Sequence, residues 1–178
     1  MGPAGIEAPK MPTYVVLLRA VNVGGTGKLP MGELRTMCRN LGFTDVRTYI
    51  ASGNLVMTST GSANAVKSRL EDALLAYAGK PVGVLVFTPG EVAEVLNANP
   101  FADRAPNRTV AIFLASDPPS DALAHVSGLN EEELALGRRV VYVHYRDGMA
   151  DSKLKIPAAT AGTARNMNTV AALVGMTL

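Results

Sequence analysis

The sequence predicts an α+β protein made of two ferredoxin-like halves of the βαββα type, with mainly antiparallel sheets and helices on one face. Two observations carry this prediction. Strand and helix patterns follow the order βαββαβ in the first half and βαββα in the second. The composition, with 48% hydrophobic and 18% charged residues among 178, supplies enough material for a core. The similarity of the halves rests on element order, because their internal identity is weak.

The first half begins with an almost wholly apolar run, YVVLLRAV at 14–21, which is typical of a strand buried on both faces. Pro30 suits the first turn of a helix that ends near Gly42. Residues 46–50 and 55–59 predict two strands joined by a tight turn at 52–54. A helix over 63–78 and a buried strand over 82–88 complete the half.

The second half begins after a capping box, formed by Thr88 and Glu91, that opens a short helix over 89–97. Strands are predicted over 108–115 and in a hairpin that turns at Gly137 and Arg138, with a helix over 117–126 between them. The tail predicts a closing helix. The domain prediction is a disordered leader over 1–12, αβ halves over 13–88 and 108–178, and a linking helix and loop over 89–107.

Charge and cysteine content limit the function classes. The net charge of +2 argues against a dedicated nucleic-acid binder, although arginines outnumber lysines eleven to six. The one cysteine, Cys38, fits a reducing compartment, so a cytoplasmic location is expected. No apolar run approaches the roughly 18 residues of a membrane span. His125 and His144 lack partners at metal-ligand spacing, so no metal site is predicted.

A glycine-rich segment, RAVNVGGTGKLP at 19–30, raises the question of a phosphate-binding loop. A P-loop needs glycine where Asn22 stands and a hydroxyl where Leu29 stands, so the sequence does not predict nucleotide hydrolysis of that type. An anion site that does not follow the P-loop motif remains possible, because Gly24, Gly25 and the helix start could present N–H groups beside Lys28. The alternative is a flexible turn with a solvated lysine.

Two further polar stretches resist a purely structural explanation. TYIASGN at 48–54 surrounds a tight turn, and TARNMNTV at 163–170 places five polar side chains at what the pattern indicates is a helix start. Capping uses one or two such residues. We therefore expect the Arg165 side chain to contact the first half. We also expect Asn166 or Asn168 to form a hydrogen bond with the backbone of residues 19–28, the glycine loop, or of residues 48–54, the hairpin.

The segment 17–56, the NPF motif at 99–101 and TARNMNTVAAL at 163–173 resemble the bacterial family called domain of unknown function 1697. The resemblance covers residues 13–175. The family's usual form has glycine where Ala20 stands and an aromatic residue where Met167 stands. The resemblance implies a cytoplasmic αβ protein and supplies no reaction.

Topology gives the polar positions a shared place. In a βαββαβ sheet the first two strands end at the same edge, so the glycine loop and the hairpin should meet there. We expect a small anionic or phosphorylated ligand at this edge. The alternatives are nucleic-acid binding and a structural cluster without a ligand. Enzymatic activity, cofactor and oligomeric state stay open. The candidate residues are Arg19, Asn22, Gly24, Gly25, Lys28, Ser52, Gly53, Asn54, Arg165, Asn166, Asn168 and Thr169.

Overall fold

The computed structural model describes residues 11–21, 28–146 and 148–178. The first half is a four-stranded sheet with two helices. Its elements are β1 (Thr13–Leu18), α1 (Met31–Asn40), β2 (Thr44–Tyr49), β3 (Asn54–Thr58), α2 (Ala63–Ala78) and β4 (Val84–Phe87). The strand order is β2-β3-β1-β4, and each neighbouring pair is antiparallel. This is the ferredoxin-like arrangement that the sequence predicts.

Local chemistry fixes the ends of these elements. The Ser62 side chain accepts a hydrogen bond from the N–H of Ala65 and so caps the start of α2. Gly79 ends the same helix at a φ of 73°, a left-handed conformation that glycine adopts without steric cost. Every residue of β1 after Thr13 is buried, which explains the unbroken apolar run.

The second half repeats the sheet but not the helices. Its elements are α3 (Pro89–Asn97), β5 (Thr109–Phe113), β6 (Glu133–Gly137), β7 (Val140–His144), β8 (Thr163–Asn166) and α4 (Met167–Met176). The strand order β6-β7-β5-β8 matches that of the first sheet, and all pairs are again antiparallel. The predicted capping box of α3 is confirmed, since Thr88 and Glu91 exchange side chain to backbone hydrogen bonds of 3.2 and 3.0 Å.

Two local predictions for the second half are wrong. The helix over 117–126 is only a 3-10 turn at Ala122–His125, and Ala122 is its one buried residue. Without an apolar stripe to bury, so short a segment gains too little from packing to stay helical. The second wrong prediction is that the polar residues of 163–170 all lie at the start of a helix. Thr163–Asn166 forms β8, which pairs with β5, and the helix begins only at Met167.

Two large hydrophobic cores lie on opposite faces of the first sheet. Helices α1 and α2 cover one face through residues such as Leu34 and Leu70. The other face shares a core with α3, α4 and the second sheet, where the rings of Phe87 and Phe113 meet edge to face at 5.1 Å. A smaller core on the outer face of the second sheet is covered by irregular chain around Ile156. No described helix has the length and apolar character needed to cross a membrane.

Candidate functional site

The guanidinium of Arg165 is the centre of a buried polar cluster between the two halves. Its Nε donates to Oδ1 of Asn54 at 2.6 Å. Its Nη2 donates to the carbonyl oxygens of Leu18 and Ser52 at 2.8 and 3.0 Å. Its Nη1 donates to the hydroxyl of Thr163 at 2.6 Å and to the carbonyl oxygen of Ala164 at 2.9 Å. We call these six residues the arginine cluster.

The sequence forms this cluster because three chain segments end at one place. Leu18 closes β1, Asn54 opens β3, and Arg165 lies in β8. Asn54 is fully buried, and its Nδ2 donates to the Tyr49 carbonyl oxygen at 3.0 Å and to the Ser52 hydroxyl at 2.8 Å. The expected return of Arg165 to the first half is therefore present in the structure.

The cluster leaves no guanidinium N–H for a ligand. A guanidinium has five N–H groups, and the five contacts above use them all. The side chain is 7% exposed. Burial lowers the pKa of Arg165 to about 10, which leaves the group charged at neutral pH. Its acceptors are neutral oxygens, so the charge is stabilised by oriented dipoles.

Arg19 makes the reciprocal connection from the first half to the second. Its Nη2 donates to the Thr160 carbonyl oxygen at 2.7 Å and its Nε to that of Gly162 at 3.2 Å. Both acceptors lie within the three residues before β8. Unlike Arg165, Arg19 is exposed, and it also lines a cavity.

That cavity, which we call the cationic cavity, has a volume of about 480 Å³ and lies where the C-terminal end of β1 meets the end of α2. Three cationic side chains line it, Arg19, Lys28 and Lys80. No acidic residue is among the described residues of its wall. The rest of the wall is apolar or aromatic and consists of Ala20, Val21, Leu29, Leu74, Tyr77, Ala78, Pro81, Val82 and Gly83.

The two lysines of the cavity lack charge partners in the described chain. Neither the Lys28 nor the Lys80 side chain forms a hydrogen bond or salt bridge with another described residue. Lys67, by contrast, lies 3.6 Å from Glu71 on the exposed face of α2. The cavity therefore concentrates positive charge that the described protein groups do not neutralise.

Comparison with known proteins places the chain in a family. A family model described as protein of unknown function (DUF1697) matches residues 11–142. The chain belongs to this family. The match ends before β8, so the closing TARN segment lies outside it. No curated protein matches the chain.

A solved structure supports the fold of this DUF1697 protein. The chain is similar to a conserved bacterial protein from Streptococcus pneumoniae, with 26% sequence identity and a TM-score of 0.77. The similarity covers 93% of this chain and 98% of that chain. The two four-stranded sheets with four helices are thus an α+β fold with a solved relative.

The structure separates the residues that the sequence grouped into one site. Arg19 and Lys28 line the cationic cavity, whereas Ser52, Asn54 and Arg165 belong to the arginine cluster. Gly53 adjoins the arginine cluster, because its carbonyl oxygen accepts from the Leu18 N–H at 2.8 Å. Asn22, Gly24 and Gly25 lie outside the described residues.

The expected bonds from Asn166 and Asn168 to the first half do not fit the structure. Asn166 caps α4, and its Oδ1 accepts from the Thr169 N–H at 3.0 Å. Asn168 is exposed on the helix, while Thr169 is buried in it. Asn166 is the last residue of β8, and Asn168 and Thr169 lie in the first turn of α4. Asn166 and Asn168 therefore serve the start of this helix or face solvent, and no described bond joins them to the first half.

Sequence reasoning missed two residues of the cavity. Tyr77 lies near the end of α2, where it is 46% exposed and lines the cavity. Lys80 follows the helix-ending Gly79 and has no motif around it. Tyr77, Lys80 and Pro81 lie close together in sequence at the end of a helix, and this was the signal that could have indicated them. Only the fold brings that helix end close to Lys28.

Proposed function

We propose that this protein binds a small anionic ligand, of the phosphate or carboxylate class, in the cationic cavity. One observation carries the proposal: Arg19, Lys28 and Lys80 line the same cavity, and no described acidic residue lines it with them. Like charges gathered at one concave site repel each other and attract anions. A bound anion would relieve that repulsion.

The arginine cluster supports the cavity without holding the ligand. Arg165 uses all its N–H groups on protein acceptors, so its role is to fix the end of β1 against the hairpin. Arg19 follows that fixed end directly and is held by Thr160 and Gly162. Arg165 and Asn54 therefore have a structural role, and Arg19, Lys28 and Lys80 are the residues that we expect to bind the ligand.

A thermal-shift titration with inorganic phosphate tests the proposal. A ligand that binds only the folded state raises the melting temperature as its concentration passes the Kd. We expect phosphate to stabilise the wild type more than sodium chloride does at equal ionic strength. Lys28→Ala and Lys80→Ala should each lose most of that response while keeping nearly the same melting temperature without phosphate, because exposed charges contribute little to stability, roughly 0–1 kcal/mol.

Lys155→Ala is the matched control, because Lys155 is exposed and does not line the cavity. It should respond to phosphate as the wild type does. A wild type without a phosphate-specific response contradicts the proposal. So does an equal loss in all three variants, which would indicate general charge attraction.

The same variants separate a ligand site from nucleic-acid binding. A nucleic-acid surface that contacts several phosphates loses affinity steeply with salt, whereas a single small anion gives a shallow dependence. We expect weak, strongly salt-sensitive binding of RNA or DNA that Lys28→Ala does not change.

We also propose a cytoplasmic location, which the free, buried thiol of Cys38 supports.

A further inference from the structure

We infer that the ligand of the cationic cavity is an organic anion with an apolar or aromatic body, and that Tyr77 recognises this body. The inference rests on the proposed function and adds the chemical class of the ligand. It depends on the size of the cavity, on the nature of its wall and on the exposure of the Tyr77 side chain.

The cavity is larger than an inorganic anion requires. Its volume of about 480 Å³ lies within the roughly 300–1,000 Å³ of sites that hold organic ligands. An inorganic phosphate held by two lysines would leave most of that space to water. A ligand that fills the cavity needs a body as well as a charged group.

The wall comes from two stretches of chain. The stretch between β1 and α1 contributes Arg19 and Lys28. The stretch from the end of α2 to the start of β4 contributes Lys80 together with apolar surface. Its accessible apolar or aromatic side chains are those of Tyr77, Ala78, Pro81 and Val82. A charged group and an apolar body would each meet a matching surface in this arrangement.

Tyr77 has an exposed ring at the end of α2. The Glu33 carboxylate of α1 is the chief cause of the raised pKa of Tyr77. The polar end of the side chain therefore interacts with the neighbouring helix, and the ring is left exposed. The 46% exposed side chain can then offer its ring to a ligand. Aromatic rings favour offset or edge contacts with other rings, which adds to the gain from apolar burial.

Calorimetric titration with three probes tests the inference: naphthyl phosphate, inorganic phosphate and naphthol. We expect naphthyl phosphate to bind at least about tenfold more tightly than inorganic phosphate, a difference that one buried aromatic contact supplies. Naphthol, which lacks the anionic group, should bind far more weakly. Lys28→Ala should weaken both phosphates.

Variants at position 77 then isolate the ring. Tyr77→Ala should remove most of the advantage of naphthyl phosphate and leave the affinity for inorganic phosphate unchanged. Tyr77→Phe keeps the ring and should keep most of the advantage. Leu75→Ala is the matched control, because Leu75 is also 46% exposed on α2 but does not line the cavity. Circular dichroism melts confirm that each variant is folded.

The outcomes distinguish the two proposals. Equal affinities for the two phosphates, or an advantage that survives in Tyr77→Ala, overturn the inference and leave the proposed function standing. Absence of binding by either phosphate overturns both. Naphthol binding as tightly as naphthyl phosphate also overturns both, because it would mark the cavity as an apolar site.

Discussion

The Nε of Arg165 lies 2.6 Å from Oδ1 of Asn54, and both side chains are buried although their residues are 111 positions apart. Asn54 turns its amide nitrogen to the Tyr49 carbonyl and its oxygen to the arginine. One neutral side chain thereby satisfies groups from both halves. The pair holds the hairpin, the end of β1 and β8 together without a carboxylate.

Arg165→Ala should be strongly destabilising. It leaves the carbonyl oxygens of Leu18 and Ser52 and the Asn54 amide without their donor, and each unsatisfied buried group costs about 1–3 kcal/mol. We expect a loss of at least about 3 kcal/mol, or roughly 6–12 °C in melting temperature for a chain of this size. Urea denaturation measures the free energy of unfolding.

Arg138→Ala is the control for that change, because the Arg138 side chain is 80% exposed and makes only a 3.8 Å contact with Glu94. It should shift the free energy of unfolding by less than about 1 kcal/mol. Arg165→Lys should recover only part of the loss, since an ammonium cannot reproduce the planar fork. Equal stability of Arg165→Ala and Arg138→Ala would show that the cluster does not join the halves.

Asn54 and Arg165 should be energetically coupled. In a double-mutant cycle with Asn54→Ala and Arg165→Ala, residues in one hydrogen-bond network give interaction energies of about 0.5–3 kcal/mol. We expect the double variant to be less destabilised than the sum of the single variants, because each substitution already breaks the shared bond. Additive effects would mean that the 2.6 Å contact contributes nothing measurable.

Gly53→Ala should destabilise the hairpin. Gly53 has a φ of 85°, and an added Cβ would lie 2.7 Å from Cγ2 of Val21 and 2.8 Å from Cβ of Leu18. The left-handed conformation alone costs an L-residue roughly 1–2 kcal/mol, and the close contacts add to it. Thermal denaturation measures the loss.

Ile50→Gly in the same turn makes the reverse change, because it introduces glycine at a position of positive φ. Ile50 has a φ of 49° and is 54% exposed, so glycine relieves strain and removes little packing. It should raise or preserve the melting temperature. A Gly53→Ala protein as stable as the wild type would indicate that the turn rearranges freely.

Alkaline pH should lower the stability of the fold through Cys38. Burial raises the pKa of its thiol from 9.0 to about 12, despite the opposing charge of Arg39. Above pH 9 the unfolded chain loses the proton and the folded chain keeps it. The stabilisation is therefore complete below pH 9 and falls by up to about 1.4 kcal/mol per pH unit towards pH 12. Burial likewise raises the pKa of Tyr142 to about 12, so it adds to the fall above pH 10.

Urea denaturation between pH 8 and 11 measures this dependence, and Cys38→Ala should flatten it most between pH 9 and 10. The native thiol should also resist Ellman's reagent at pH 8 and react once the chain is unfolded. Rapid labelling of the native protein, or an unchanged slope in Cys38→Ala, would contradict the assignment.

The sequence predicts the first half better than the second because its signals are local there. The apolar run of β1, the end of α2 before Gly79 and the tight turn at Gly53 are each indicated by a few neighbouring residues. The strand at 163–166 is different, since its partner is β5 and nothing nearby in sequence marks it. The same limit applies to the cavity, where Lys80 meets Lys28 only after β1 and α2 have packed.

The core between the two sheets determines how cooperatively the protein unfolds. Val15 and Leu17 of the first sheet, Phe113 of the second sheet, and helices α3 and α4 all bury apolar groups in one core. Removal of either half would leave that whole surface facing water. We therefore expect one cooperative calorimetric transition, and halves that aggregate when expressed alone. The two sheets share one strand order, as in a duplication, but the shared core makes each half depend on the other for burial of its apolar surface.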